Sequence, residues 1–219
     1  MHFNRRHFLG AAIAATAGAS TGLGAEPKRF GQLELPPAIA PVPAEPVRAA
    51  MPPLLQEALA ALDRHSTRLA RRDRIALVDF SVHSREKRLE IVDVEGGRVM
   101  RTLLVAHGRG SDPGNSGMVQ RFSNDPGSNA SSRGAYCTAA PYYGKHGRSQ
   151  RLIGLDPEND AALERAIVLH GAGYVTDAMA ETSGRIGRSL GCFAVENSEV
   201  DRTIELLGEG RMLYAGKPY

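Results

Sequence analysis

The chain has 219 residues, of which 42% are hydrophobic and 23% charged, the make-up of a globular protein and not of a disordered or fibrous one. Its net charge of +3 and pI near 9.0 come from Lys and Arg spread along the sequence instead of gathered in a block, which argues against nucleic-acid binding. A mildly basic surface suits work beside an anionic polymer but identifies none.

In chain order, Asn4-Arg5-Arg6-His7-Phe8-Leu9 and the apolar run Gly10 to Gly18 have the charged-then-apolar layout of an export signal. The adjacent arginines followed by Phe-Leu resemble a twin-arginine signal, whose cargo reaches the periplasm or the outer face of the membrane already folded. The run is too short and too rich in Ala and Gly to span a bilayer stably, and small residues around Ala25 offer a cleavage point. Residues 1–25 are therefore expected to be a signal that leaves no stable membrane span once removed, with an uncleaved anchor as the alternative. Residues 26–53 are dense in proline and alanine, as in Pro36-Pro37-Ala38-Ile39-Ala40-Pro41-Val42-Pro43, and read as an extended linker. Leu54, Leu55, Ala58, Leu59, Ala61, Leu62 and Leu69 then recur at helical spacing and predict an amphipathic helix over 54–72, lying on the domain.

Short β-type runs follow at 75–80, 89–94 and 99–106, the last two joined by the turn signal Glu95-Gly96-Gly97. His107 to Arg133 lacks periodicity and is full of Gly, Ser, Asn, Asp and Pro, a long loop of the kind that carries function. Strands are expected at 134–140 and 151–155, and a short helix from Pro157 capped by Asp156. The run Ala166-Ile167-Val168-Leu169 leads into His170-Gly171. Near the end, 191–195 reads as a strand, 198–207 as a helix capped by Asn197 or Ser198, and 211–215 as the closing strand. Strands outnumber helices and lack regular helical crossovers. Residues 73–219 should therefore form an α+β, mainly β catalytic domain, a mixed and mostly antiparallel sheet or sandwich with a few short helices.

Two cysteines are present, Cys137 and Cys192, the second in Ser189-Leu190-Gly191-Cys192. A cysteine attacks carbonyls as thiolate, and with a free pKa of about 8.5 it needs a base or a positive charge beside it. His170 at the end of an apolar strand is placed to be that base, and Gly171 after it would let a substrate backbone approach. Gly191 would likewise open an oxyanion pocket of backbone N–H groups beside the thiol.

The order His170-Gly171, then Ser189-Leu190-Gly191-Cys192, resembles L,D-transpeptidase catalytic domains of the YkuD type. Ser132-Arg133-Gly134-Ala135-Tyr136-Cys137-Thr138 is similar to the family's strand-entry pattern of small residue, x, Gly, x, aromatic. With Val105 to Ser111, Phe122-Ser123-Asn124 and Tyr143-Gly144-Lys145-His146-Gly147, the resemblance is closest to the murein L,D-transpeptidase branch and covers about Arg74 to Tyr214. It implies a Cys192 acyl-enzyme formed on a peptidoglycan stem peptide, with His170 taking the thiol proton. The acyl-enzyme is then resolved by an amine, giving transpeptidation, or by water, giving a carboxypeptidase or cross-link hydrolase. Ser189 would hold the loop or the imidazole tautomer, and the N–H groups of Gly191 and Cys192 the oxyanion. Substrate contacts would fall to His107, Tyr136, His146 and Gly171. No metal or organic cofactor is implied, and no oligomeric state. Leu190 stands where the commonest signature has His, and Ala194 where it has Asn or Arg. Arg185 and Arg188 are the candidates to replace the lost carboxylate contact, since a guanidinium grips a carboxylate in two places.

Other readings compete. A Cys137–Cys192 disulfide is permitted in an oxidising compartment and would leave a non-catalytic wall-binding module. Cys137 alone reads as an ordinary buried strand residue. His107, His146, His170 and a cysteine could form a zinc site, although paired ligand spacing is absent. His65 and His83 read as surface residues without a special role.

Overall fold

The computed structural model describes residues 51–218; the expected signal and nearly all of the linker lie outside the described residues. Helix α1, Pro53–Arg64, opens with proline at its first turn, where the missing N–H is not needed and φ is already helical. Leu54, Ala58, Ala61 and Leu62 form its buried stripe, and each leucine contributes about 1.5–3 kcal/mol by leaving water. The helix ends earlier than the spacing predicts. The His65 ring turns away to bond Asp156 (Nε2–Oδ1 2.7 Å), Arg68 reaches the Leu155 carbonyl at 3.2 Å, and Ser66–Arg68 forms a single 3₁₀ turn. Leu69 still joins the same apolar cluster.

Eight strands follow: β1 Arg74–Asp79, β2 Leu89–Asp93, β3 Arg98–Leu103, β4 Gly134–Gly144, β5 Gly147–Gly154, β6 Val168–Gly171, β7 Phe193–Val195 and β8 Met212–Gly216. They form one sheet in the order β3-β2-β1-β8-β4-β5-β6-β7. The pairs β1–β8 and β6–β7 are parallel and the rest antiparallel, which is the mixed, mostly antiparallel architecture expected. The β2–β3 hairpin turns where Glu95-Gly96-Gly97 predicts, with Gly97 at φ +59. Beyond β3 the chain crosses to the other edge of the sheet, where the Ala106 N–H donates to the Ala194 carbonyl at 2.8 Å. Leu103 from one edge and Phe193 from the other thus share one inner core with Val78, Ile91, Leu152 and Leu169. Alternation along β1 sends Ala76 and Val78 into that core and Ile75 and Leu77 onto the α1 side, as a period of two requires.

Several local expectations need correction. The β4–β5 hairpin is longer than 134–140 and 151–155; a bulge between Thr138 and Pro141 accommodates the proline and carries the hairpin on to a tip at Lys145-His146. No helix starts at Pro157, where the only regular piece is the 3₁₀ turn Asp160–Ala162. Asp156 caps nothing there because its carboxylate accepts the Ala135 N–H (2.7 Å) and the His65 proton. Consequently His65 is buried and paired, not a surface residue. Helix α2, Asp177–Ser183, is capped by Thr176, whose hydroxyl accepts the Met179 N–H at 3.0 Å; at seven residues it is too short to show a periodicity. Helix α3, Val200–Leu207, has neither Asn197 nor Ser198 as its cap; Asn197 packs against Gly171. Among the described residues no helix is long and apolar enough to cross a membrane.

Candidate active site

The parallel register of β6 and β7 sets Leu169 beside Phe193 and His170 beside Ala194, so Cys192 lies level with Val168. Side-chain alternation puts Val168, His170 and Cys192 on one face, and all three line a cleft of about 610 Å³. Lys145 and His146 from the β4–β5 tip, Arg165 and Ala166 from the approach to β6, and Tyr174, Arg188 and Leu190 from the segment before β7 complete its walls.

His170 Nδ1 lies 2.9 Å from the Gly171 carbonyl. A carbonyl only accepts, so Nδ1 carries the proton and Nε2 is left as the acceptor. Burial pulls the imidazole pKa below its ordinary value and His146 and Lys145 add to this, against the Gly171 bond, which raises it. The imidazole is therefore neutral near pH 7. Burial pushes the Cys192 thiol up, opposed by the Val168 N–H aimed at the sulfur and by Lys145 and Arg165. The thiol's own hydrogen bond goes to the Ala166 carbonyl at 3.7 Å, not to His170. One cleft therefore holds a neutral thiol and a neutral imidazole at rest.

Ser189 holds the loop that carries Cys192. Its hydroxyl donates to the Cys192 carbonyl at 2.7 Å and accepts the Gly191 N–H at 3.1 Å. That second bond corrects the oxyanion expectation: the Gly191 N–H is already engaged. Glycine is needed at 191 because φ is +119 and a Cβ would come within 2.8 Å of the Ala130 carbonyl. The segment 106–112 grips the loop on both sides of Cys192. Ala106 pairs with Ala194, the Ser189 N–H donates to the His107 carbonyl at 2.9 Å, the Arg109 N–H to the Ser189 carbonyl at 2.8 Å, and Arg188 to the Asp112 carbonyl.

Of the expected substrate contacts, His146 and Arg188 line the cleft. His107 and Tyr136 do not, for both are fully buried. Arg88 donates to His107 Nδ1 at 2.7 Å, which leaves the proton on Nε2, facing Asp112 Oδ2 at 3.4 Å. Burial and the neighbouring guanidinium hold His107 at about 4, hence neutral. The Tyr136 hydroxyl donates to the Ser132 carbonyl at 2.8 Å, and its ring meets Phe193 edge-on in the core. Gly171 is small for Asn197, whose Oδ1 a Cβ would approach to 2.7 Å, and not for a substrate backbone. Arg185 lies outside the cleft and donates to the Ser183 carbonyl at 3.3 Å. Sequence reasoning passed over Arg165, which ties the 123–132 loop to β6 through the Ser123 and Ala130 carbonyls, and Tyr174, whose phenol burial pushes up to about 12. Neither has a local signature.

The disulfide alternative is also corrected: Cys137 and Cys192 are both free, and Cys137 packs on the α1 side of the sheet. Among the described residues no three His, Cys, Asp or Glu side chains are arranged to hold a metal.

The sequence model described as the L,D-transpeptidase catalytic domain matches residues 48–215. The chain belongs to this family. Solved structures similar to this L,D-transpeptidase domain include an L,D-transpeptidase from Mycobacterium smegmatis, 11% identical with a TM-score of 0.41 over 66% of this chain and 58% of that one. Another, from Xylanimonas cellulosilytica, is 18% identical with a TM-score of 0.40 over 72% and 68%. The helical cell shape determining protein Pgp2 from Campylobacter jejuni is 14% identical with a TM-score of 0.42 over 69% and 49%. The L,D-transpeptidase domain and its flanks thus span less than two thirds of the Mycobacterium smegmatis chain. No curated protein matches.

Proposed function

We propose that the protein is an exported cysteine acyltransferase that modifies peptidoglycan stem peptides, with Cys192 as nucleophile and His170 as base. The observation that carries this reading is a thiol and an imidazole with an unprotonated Nε2 on one face of β6–β7, in one cleft. Membership of the L,D-transpeptidase family supports the substrate class. As a substrate carbonyl enters, the Cys192 proton passes to His170 Nε2 and the sulfur attacks. The C–N bond breaks, the departing amine takes the proton back from His170, and a thioester remains for an incoming amine or water. With the Gly191 N–H engaged by Ser189, the oxyanion falls to the Cys192 N–H. Lys145 and Arg188 on the walls give the cleft a positive field suited to a carboxylate-bearing peptide. The Arg5-Arg6 leader supports delivery by the twin-arginine route.

The test is intact-protein mass spectrometry after incubation with a carbapenem, beside a Cys192→Ala variant. One covalent adduct, lost in the variant, is expected, together with release of D-alanine from a stem tetrapeptide; a cross-linked product identifies an amine acceptor and a free tripeptide identifies water. No adduct and no cleavage would overturn the reading.

A further inference from the structure

His170 is only 2% exposed although it stands one residue from the end of a short strand and lines a cleft, and what covers it is a second imidazole. The His146 ring lies on the His170 ring with centroids 4.2 Å apart and planes 22° from parallel. The β5–β6 register pairs Ser149 with His170, so the hairpin tip must arch back over the end of β6 to bring His146 there. Gly147, at φ +74, provides that reversal, and Gly144 lets the tip pass Tyr142, which a Cβ would approach to 2.8 Å. Among the described residues the His146 ring has no hydrogen-bond partner, so stacking accounts for its placement.

We propose that His146 is a positioning residue for His170 and not a substrate ligand: its stacked ring fixes the imidazole's orientation, excludes water from one face, and so sets the pH range in which His170 can accept the Cys192 proton. This rests on the reading of His170 as base. Other groups face His170 from every side of the cleft, but their roles differ. Arg165 is spent on the 123–132 loop and Arg188 on the Asp112 carbonyl. Tyr174 stays a neutral phenol, Cys192 is the proton donor, and Lys145 shares the tip with His146. His146 is thus the group whose removal would wet the ring. Burial is the largest influence keeping His170 low, with His146 next among those acting downward. Removing the stack must therefore raise the pKa of His170, and an apolar ring in its place must largely keep it low.

The experiment is an NMR titration of the His170 Cε1–H resonance in the mature protein, assigned by its loss in His170→Gln, for the wild type, His146→Ala and His146→Phe. The midpoint is expected to rise by about half a unit or more in His146→Ala, equivalent to roughly threefold in the proton-binding constant, and to stay near the wild-type value in His146→Phe. With a stem-peptide donor, kcat should fall in His146→Ala while KM changes by less than about twofold, and the acidic limb of kcat should move to higher pH with the NMR midpoint. An unmoved midpoint in His146→Ala, an equal rise in His146→Phe, or a change confined to KM would overturn the assignment. A wild type that forms no Cys192 adduct would instead defeat the nucleophile reading, which the titration does not depend on.

Discussion

Cys192 sits in a loop whose shape depends on one hydroxyl. Ser189→Ala removes the acceptor of the Gly191 N–H and the donor to the Cys192 carbonyl, leaving a buried N–H unpaired at about 1–3 kcal/mol. Carbapenem acylation should slow about tenfold or more, as a loss of about 1.4 kcal/mol would give, while the melting temperature falls by only a few degrees; an unchanged acylation rate would show that the loop holds its shape without Ser189. At this scale the sequence was readable where chemistry demands a rare pattern. Ser189, Gly191 and Cys192 lie within four residues, and His170 ends an apolar run. It was unreadable where a polar residue could serve either the cleft or the core. His107, with a buried Arg88 on Nδ1 and Asp112 beyond Nε2, and Tyr136, with its hydroxyl on Ser132, are held in the core by partners whose spacing in the sequence forms no recognisable motif.

Helix α1 docks through an apolar stripe and one buried polar link, His65 to Asp156. Burial pushes the Asp156 carboxyl up, but the Ala135 N–H and His65 outweigh it and hold it below the ordinary carboxylate range. The stability this link supplies is present above the unfolded carboxylate value and is lost as pH falls through the lower folded one. Urea midpoints measured from pH 7 down to about 3 should therefore decline less steeply in Asp156→Asn, starting from a lower value at pH 7 because the Ala135 N–H and His65 lose an ionised acceptor. Equal slopes would mean that Asp156 is not part of the acid response. The elements themselves were largely legible from apolar periodicity: β1, β2, β6, β7 and β8 fall within a residue or two of the expected runs, while β3 ends at Leu103, three residues before its run does. The β4–β5 tip was not, because a bulged strand carrying Pro141 and two tyrosines shows no period, and α2 was not, because its seven residues are too few to show a stripe. That tip is the wall that brings His146 to His170.

Over the molecule as a whole, strand order departs from chain order at one place above all. β8 lies between β1 and β4, pairing Ile75 with Met212 in one direction and Ala135 with Tyr214 in the other, so a strand made after the other seven joins β1–β3 to β4–β7. Ending the chain after Gly210 should leave two unjoined part-sheets; loss of near-ultraviolet circular dichroism and of carbapenem acylation together would record this, and retention of either would contradict it. The consequence reaches back to biosynthesis. While the ribosome still holds β8, β1 and β4 present open edges to one another and to neighbouring chains, so the nascent protein cannot complete its sheet piecemeal as it emerges. Closing the sheet has to wait until β8 has emerged, and a chain threaded across a membrane as it was made would meet the same wait on the far side.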